Sequence, residues 1–229
     1  MAKIERELLP RCGGRLTPEE ATEGMNAAIQ NAKRLIDDAE ILLGNQRYAT
    51  AMTLSILAIE EAGKISILRG LLAAPDDKIS SYWRDYRSHK AKNTAWILPE
   101  LVRRGARTLL GLREAANPDG DHTAILDILK QIGYYTDFVG NRHWSKPEEV
   151  VDRHLAEAIF EIAKILAKDR KISVEENHLW IKHVGLTSEN GMSPDGLLGF
   201  FSEAEEAGLI DTDLETITRF IFGGIAVEE

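Results

Sequence analysis

Cysteine is almost missing from this chain. The single Cys12 among 229 residues excludes an intrachain disulfide and leaves no thiol cluster to hold zinc, so the composition fits a reducing compartment and a cytoplasmic location. No apolar run approaches the roughly 20 residues that a membrane-spanning helix needs, and no membrane association is expected. The N-terminal stretch carries Glu5 and Glu7 without an apolar core, which is not the pattern of a signal peptide. A glycine-rich phosphate loop, a dinucleotide fingerprint and a serine in a strand-to-helix elbow are all lacking. His143, His154, His178 and His183 do not show the i,i+4 spacing of a zinc helix, so neither metal nor cofactor is expected. His178 and His183, on either side of Trp180, read as a packing pair. Alternating β-branched runs and a repeat of 20 to 50 residues are missing too, which argues against sheets and solenoids. Nor is there an excess of basic charge. A net charge of −9 speaks against a protein that coats nucleic acid non-specifically.

What is present is helical periodicity. With 44% hydrophobic and 28% charged residues the chain can bury a core. Residues 1–15 read as an irregular arm. Thr17-Pro18-Glu19-Glu20 is a capping box with proline at the first helical position, opening a helix that Gly44-Asn45 should stop in a left-handed turn. A second helix over residues 48–72 is apolar nearly all round, which marks it as the core helix packed on two sides. Its polar exceptions are Glu60, Glu61 and Lys64. The spacing suggests that Glu60 pairs with Lys64 and that Glu61 meets a basic residue of a neighbouring helix, the competing reading being a role in an active site. A third helix carries Ile79, Tyr82, Trp83 and Tyr86. Amphipathic patterns predict helices over 96–116, 124–135 and, behind a second capping box at Ser145-Lys146-Pro147-Glu148, through to Leu166. Residues 117–121 read as a turn and 136–142 as a loop. Short helices over 174–184, 194–207 behind Ser193, and 214–222 behind Asp211 or Thr212 complete an all-α reading.

Chemistry concentrates in residues 82–93. From Lys78 to Arg113 about nine basic residues face only Asp85 and Glu100, whereas the chain from Glu148 onward is acidic. Such a patch suits a short stretch of RNA or the acidic part of a second subunit. Within it Arg84 and His89 pair a permanent cation with a group that moves protons near neutral pH. That suffices for RNA cleavage without a metal, because the ribose 2′-hydroxyl is an internal nucleophile. The spacing alone proves nothing, since a shuffled chain of this composition yields it about once. On an unbroken helix Asp85 would pair with His89; a break near Ser88 would let Arg84 and His89 converge. Tyr82, Trp83, Tyr86 and Trp96 gather ring area of the kind found at interface centres, and a homodimer through this region is expected.

Three stretches, YATAMTLSILAIEEAGK from Tyr48, YRSHKAK from Tyr86 and YYTDFVGNRHWSKP from Tyr134, resemble the AbiV-type abortive infection proteins, a branch of the HEPN superfamily. The resemblance implies a helical bundle over residues 17–170; residues 171–229 lie outside it and are expected to form a C-terminal helical extension packed on the same domain. It further implies a dimer engaged in bacterial defence against phage, with a phage or host protein as activator. Many members are metal-independent ribonucleases whose Arg-x4–6-His motifs meet across the dimer axis beside a polar residue of an earlier helix. Carried over, Arg84, His89 and Glu60 or Glu61 would be the catalytic set, Asp85 the polar residue after the arginine, and Arg87, Lys90, Lys92 and Lys64 the contacts to RNA. Other members keep the fold as non-catalytic partners, and the same implication holds open a protein that blocks translation or binds a phage product.

Overall fold

The computed structural model describes residues 13–112, 117, 119–140, 142–185, 193–211 and 213–223; Cys12 lies outside them. The first capping box closes in both directions, Thr17 Oγ1 accepting from the Glu20 amide at 3.2 Å and Glu20 Oε2 from the Thr17 amide at 2.9 Å. It opens α1 (Pro18–Gly44), whose buried stripe of Met25, Ala28, Ile29, Ala32, Leu35 and Ala39 is rich in small side chains. These let α2 (Tyr48–Ala73) approach closely, and the two form a long helical hairpin. The reversal falls one residue later than the sequence suggests, on Gln46 with φ 61°, while Asn45 keeps a negative φ and its side-chain amide donates to the Ile41 carbonyl.

The chain continues through α3 (Ile79–Arg87), α4 (His89–Lys92), α5 (Leu98–Arg103) and α6 (Asp121–Tyr134), then a hairpin of β1 (Asp137–Val139) and β2 (His143–Ser145). It goes on with α7 (Pro147–Val150), α8 (Arg153–Leu166), α9 (Val174–Val184), α10 (Pro194–Glu206) and α11 (Leu214–Phe222). Four sequence readings need correction. The helix expected over 96–116 stops at Arg103, because Gly105 takes φ 107° and turns the chain; residues 113–116 lie outside the described ones. The loop expected over 136–142 contains β1. Ser145 makes no capping box, since its hydroxyl accepts from the Asp137 amide within the hairpin; the long helix is split at buried, extended Val151 and restarted by an Asp152 cap. The cap of α11 is Asp213, whose carboxylate accepts from the Thr216 amide at 2.8 Å.

The fold is otherwise all-α, and α2 is its axis. Met52, Ile56 and Ile59 pack with Leu35, Leu126 and Ile159, while Leu68 and Leu72 pack with Met25, Ile29 and Ile172. Each such side chain contributes about 1.5–3 kcal/mol by leaving water. On a further side Leu71 meets Ile79 and Trp83, and Trp83 Nε1 donates to the Gly14 carbonyl at 2.7 Å. Tyr82 packs against α2 at Gly70, where a Cβ would come within 2.3 Å of the ring. Trp96 Nε1 donates to His122 O at 2.8 Å. The rings expected at a dimer interface are therefore largely used within the chain.

Helices α9 to α11 build a second cluster around Trp180, Phe200 and Ile221. They are tied to α1 and α2 by Asn177 Nδ2 donating to Thr22 Oγ1 at 2.8 Å and Trp180 Nε1 to Arg69 O at 3.1 Å. Glu176, fully enclosed, accepts from both Arg69 and Arg170. Burial, with Arg170 nearby, pushes Arg69 down to about 10. His178 and His183 are not a packing pair: His178 is exposed and His183 bonds Glu203 at 2.6 Å. No described helix is long and apolar enough to cross a membrane.

Candidate active site

Helix α3 ends at Ser88, whose extended backbone (φ −85°, ψ 126°) stops the helix and whose hydroxyl then caps α4 by accepting from the Ala91 amide at 3.3 Å. The break turns α4 back onto α2. Contact is close at Gly63, where any Cβ would lie 2.0 Å from the Lys92 carbonyl oxygen, so only glycine admits α4 at this depth. Residues 89 and 92, three apart on one face, thereby both point to Glu60.

Glu60 is 4% exposed, a burial that a carboxylate tolerates only with partners. Its two oxygens are divided between them. Oε1 accepts from Lys130 Nζ at 2.7 Å, and Oε2 lies 2.8 Å from His89 Nδ1 and 3.9 Å from Lys92 Nζ. Lys130, on α6, also stands 3.0 Å from Asp127. Burial works to lower Lys130, but the bonds to Glu60 and Asp127 outweigh it and hold the ammonium above the ordinary lysine value. Lys92 goes the other way: burial dominates over the attraction of Glu60, and it is shifted down. Beside this core Glu61 binds Lys64 at 2.7 Å, and Lys64 lies 5.6 Å over the Tyr86 ring. The pairing is the reverse of the sequence reading, because Glu60 and not Glu61 faces the neighbouring helices.

Three carboxylates, Glu60, Glu61 and Asp127, thus meet three ammonium groups, Lys64, Lys92 and Lys130. His89 is the most exposed group of this cluster, its side chain 55% exposed against 34% for Asp127. In the neutral ring the contact with Glu60 favours the tautomer with the proton on Nδ1, which leaves Nε2 as the acceptor. No described residue bonds Nε2. Asn93, next to Lys92, is fully buried with both side-chain polar atoms unpaired among the described residues, a cost of the kind that recurs at functional sites.

The remaining expected residues sit differently. Arg84 is exposed, donates to Ser81 Oγ at 2.8 Å and has no bond to His89. The break at Ser88 forms, yet it delivers His89 to Glu60 instead of to Arg84. Asp85 does not pair with His89; its backbone carbonyl accepts from the Ser88 amide. Arg87 lies 5.6 Å over the Trp83 ring and Lys90 is exposed, whereas Lys64 and Lys92 belong to the enclosed network and not to an open surface. Lys130 escaped the sequence reading. A lone lysine on an otherwise apolar helix face, between Leu126 and Gly133, was the signal that could have found it. Among the described residues no three His, Cys, Asp or Glu side chains gather to hold a metal.

The family model of AbiV, a HEPN family, matches residues 20–168. The chain belongs to the AbiV family. The match runs from the first turn of α1 to just beyond α8 and includes every member of the Glu60 cluster. Membership in AbiV links the protein to abortive-infection defence. Helices α9 to α11 lie beyond the AbiV match. No curated protein and no solved structure matches the chain.

Proposed function

We propose that this AbiV-family protein is a metal-independent endoribonuclease that acts as a toxin in abortive infection, with His89 as its proton-transfer group. The observation that supports this reading most is the Glu60–His89 pair: an enclosed, lysine-balanced carboxylate on Nδ1 and an open Nε2. Glu60 fixes the tautomer and orients the ring. Nε2 takes the proton of a ribose 2′-hydroxyl as that oxygen attacks the adjoining phosphorus. The bond from phosphorus to the 5′-oxygen breaks, and the leaving oxygen takes a proton from solvent or from a second imidazolium. The products are a 2′,3′-cyclic phosphate and a 5′-hydroxyl.

Charge develops on the phosphoryl oxygens during this step, and a guanidinium is suited to it. Arg84 does not reach His89 within one chain, so the reading requires a homodimer in which His89 and Arg84 of the partner subunit share a phosphate. Exposed Arg84, Arg87 and Lys90 on α3 and α4 form the surface available for that approach. The test is incubation of cellular RNA with purified protein in EDTA. Cleavage is expected, and His89→Ala should lower its rate by about 10² to 10⁴ while the helical circular dichroism stays unchanged. RNA left intact by dimeric wild-type protein would contradict the proposal and favour a non-catalytic role for the same cluster in binding a phage or host protein.

A further inference from the structure

The hairpin of β1 and β2 takes no part in the reading above, although its sequence is one of the three stretches that carry the family resemblance. Its register sets Phe138 opposite Trp144, with ring centroids 5.3 Å apart and planes tilted by 50°. Tyr134 and Tyr135, just before it, meet edge to face at 5.2 Å. All four rings are about half exposed or more, Trp144 most of all at 65%. Elsewhere the protein treats aromatics oppositely: Trp83, Trp96 and Trp180 are mostly enclosed, each with its indole nitrogen bonded to a backbone carbonyl.

The rings stand among cations. Arg142, held at φ 57° in the turn, His143 and Lys146 are exposed, and Asp137 is the only acid between Tyr134 and Lys146; Lys146 bonds Glu149 at 2.7 Å, an exposed pair that a phosphate can replace. In a chain of net charge −9 this is a local reversal of sign. Open ring faces interleaved with cations match what single-stranded nucleic acid offers, bases with free π-faces joined by phosphates; a duplex hides those faces in its own stack. The segment is joined to the candidate active site through α6. Helix α6 carries Lys130 beside Glu60 and Tyr134 one turn later, roughly 6 Å further along the axis at a rise of 1.5 Å per residue.

Resting on the ribonuclease reading, we infer that the 134–146 segment is the substrate-holding surface for single-stranded RNA, with bases stacked on Trp144, Phe138 and the tyrosine pair and phosphates met by Arg142 and Lys146. The probe is a short single-stranded 2′-O-methyl oligonucleotide, which lacks the nucleophile and cannot be cleaved. It should quench tryptophan emission, and Trp144→Leu should remove most of the quench and weaken binding about five-fold or more, the loss expected for one stacked base. The quench should fall with added salt. Unchanged affinity in the Trp144→Leu, Phe138→Leu double variant, or equal affinity for a duplex, would overturn the inference. So would a dimer in light scattering that Trp144→Leu dissociates while the oligonucleotide does not bind, since the surface would then belong to a second copy. Because the probe reports binding alone, binding without cleavage of ordinary RNA removes the catalytic reading and leaves this surface standing; cleavage at full rate by the double variant removes this surface and leaves the catalytic reading.

Discussion

At the scale of single residues, function turns on how one buried carboxylate is shared. Lys130 meets Glu60 Oε1 and supplies a positive charge opposite it, leaving Oε2 to His89. Removing the lysine leaves a buried negative charge, which typically costs about 3–5 kcal/mol. We therefore expect Lys130→Met to lower the unfolding free energy by roughly that amount and to favour the imidazolium of His89, moving the acidic limb of the pH–rate profile, which the base sets, upward. Glu60→Gln combined with Lys130→Met should restore much of the stability without activity; urea denaturation and a pH–rate series measure both. A profile unmoved by Lys130→Met would deny it any positioning role. Part of this was legible in the sequence. Glu60, Glu61 and Lys64 stand out because the rest of α2 is apolar. Which of the adjacent acids faces inward was not, because that depends on where α4 and α6 press on the helix, and Lys130 is 70 residues away from Glu60.

At the scale of elements, the decisive feature is the break at Ser88 and the seat for α4 at Gly63. Gly63→Ala places a methyl group against the Lys92 backbone, and neither backbone can yield cheaply. It is expected to lower stability by about 1–3 kcal/mol, as overpacking does, and to displace His89 from Glu60, so activity should fall more than the melting temperature alone explains. Helix ends with a capping residue and a periodic face were readable: α1, α2, α9 and α10 stand within a residue or two of where the pattern puts them. The misreadings occur where the backbone overrides side-chain pattern, as at Gly105 and Val151. Acid should test the last elements. Hydrogen bonds from Lys182 and His183 hold the Glu203 carboxyl below its ordinary value. A depressed carboxyl contributes stability that is complete above its unfolded value near 4.5 and is lost as pH falls through the folded one. Amide exchange in α9 and α10 should therefore rise below about pH 4.5, and Glu203→Gln should remove that dependence.

At the scale of the whole molecule, α2 joins two regions that the family pattern separates. Its middle holds the Glu60 cluster, and its last turns hold Arg69, which binds Glu176 of α9 and stacks within 5.0 Å of Trp180 and 5.6 Å of Phe200. Trp180→Ala should cost about 3–5 kcal/mol through the cavity it leaves and loosen α9 from α2, an outcome that exchange in α9 reads directly. Of the rings that suggested an interface, Trp83 is buried within the chain, whereas Tyr82, Tyr86 and Trp96 are half-buried. The most direct measurement is end-group analysis of a defined oligoribonucleotide incubated with the protein in EDTA. A 2′,3′-cyclic phosphate and a 5′-hydroxyl, formed by wild type and not by His89→Ala, and abolished by a 2′-deoxy substitution at the cleaved position, are the predicted result; an oligonucleotide that stays whole, or ends that persist with the 2′-deoxy substrate, would contradict it.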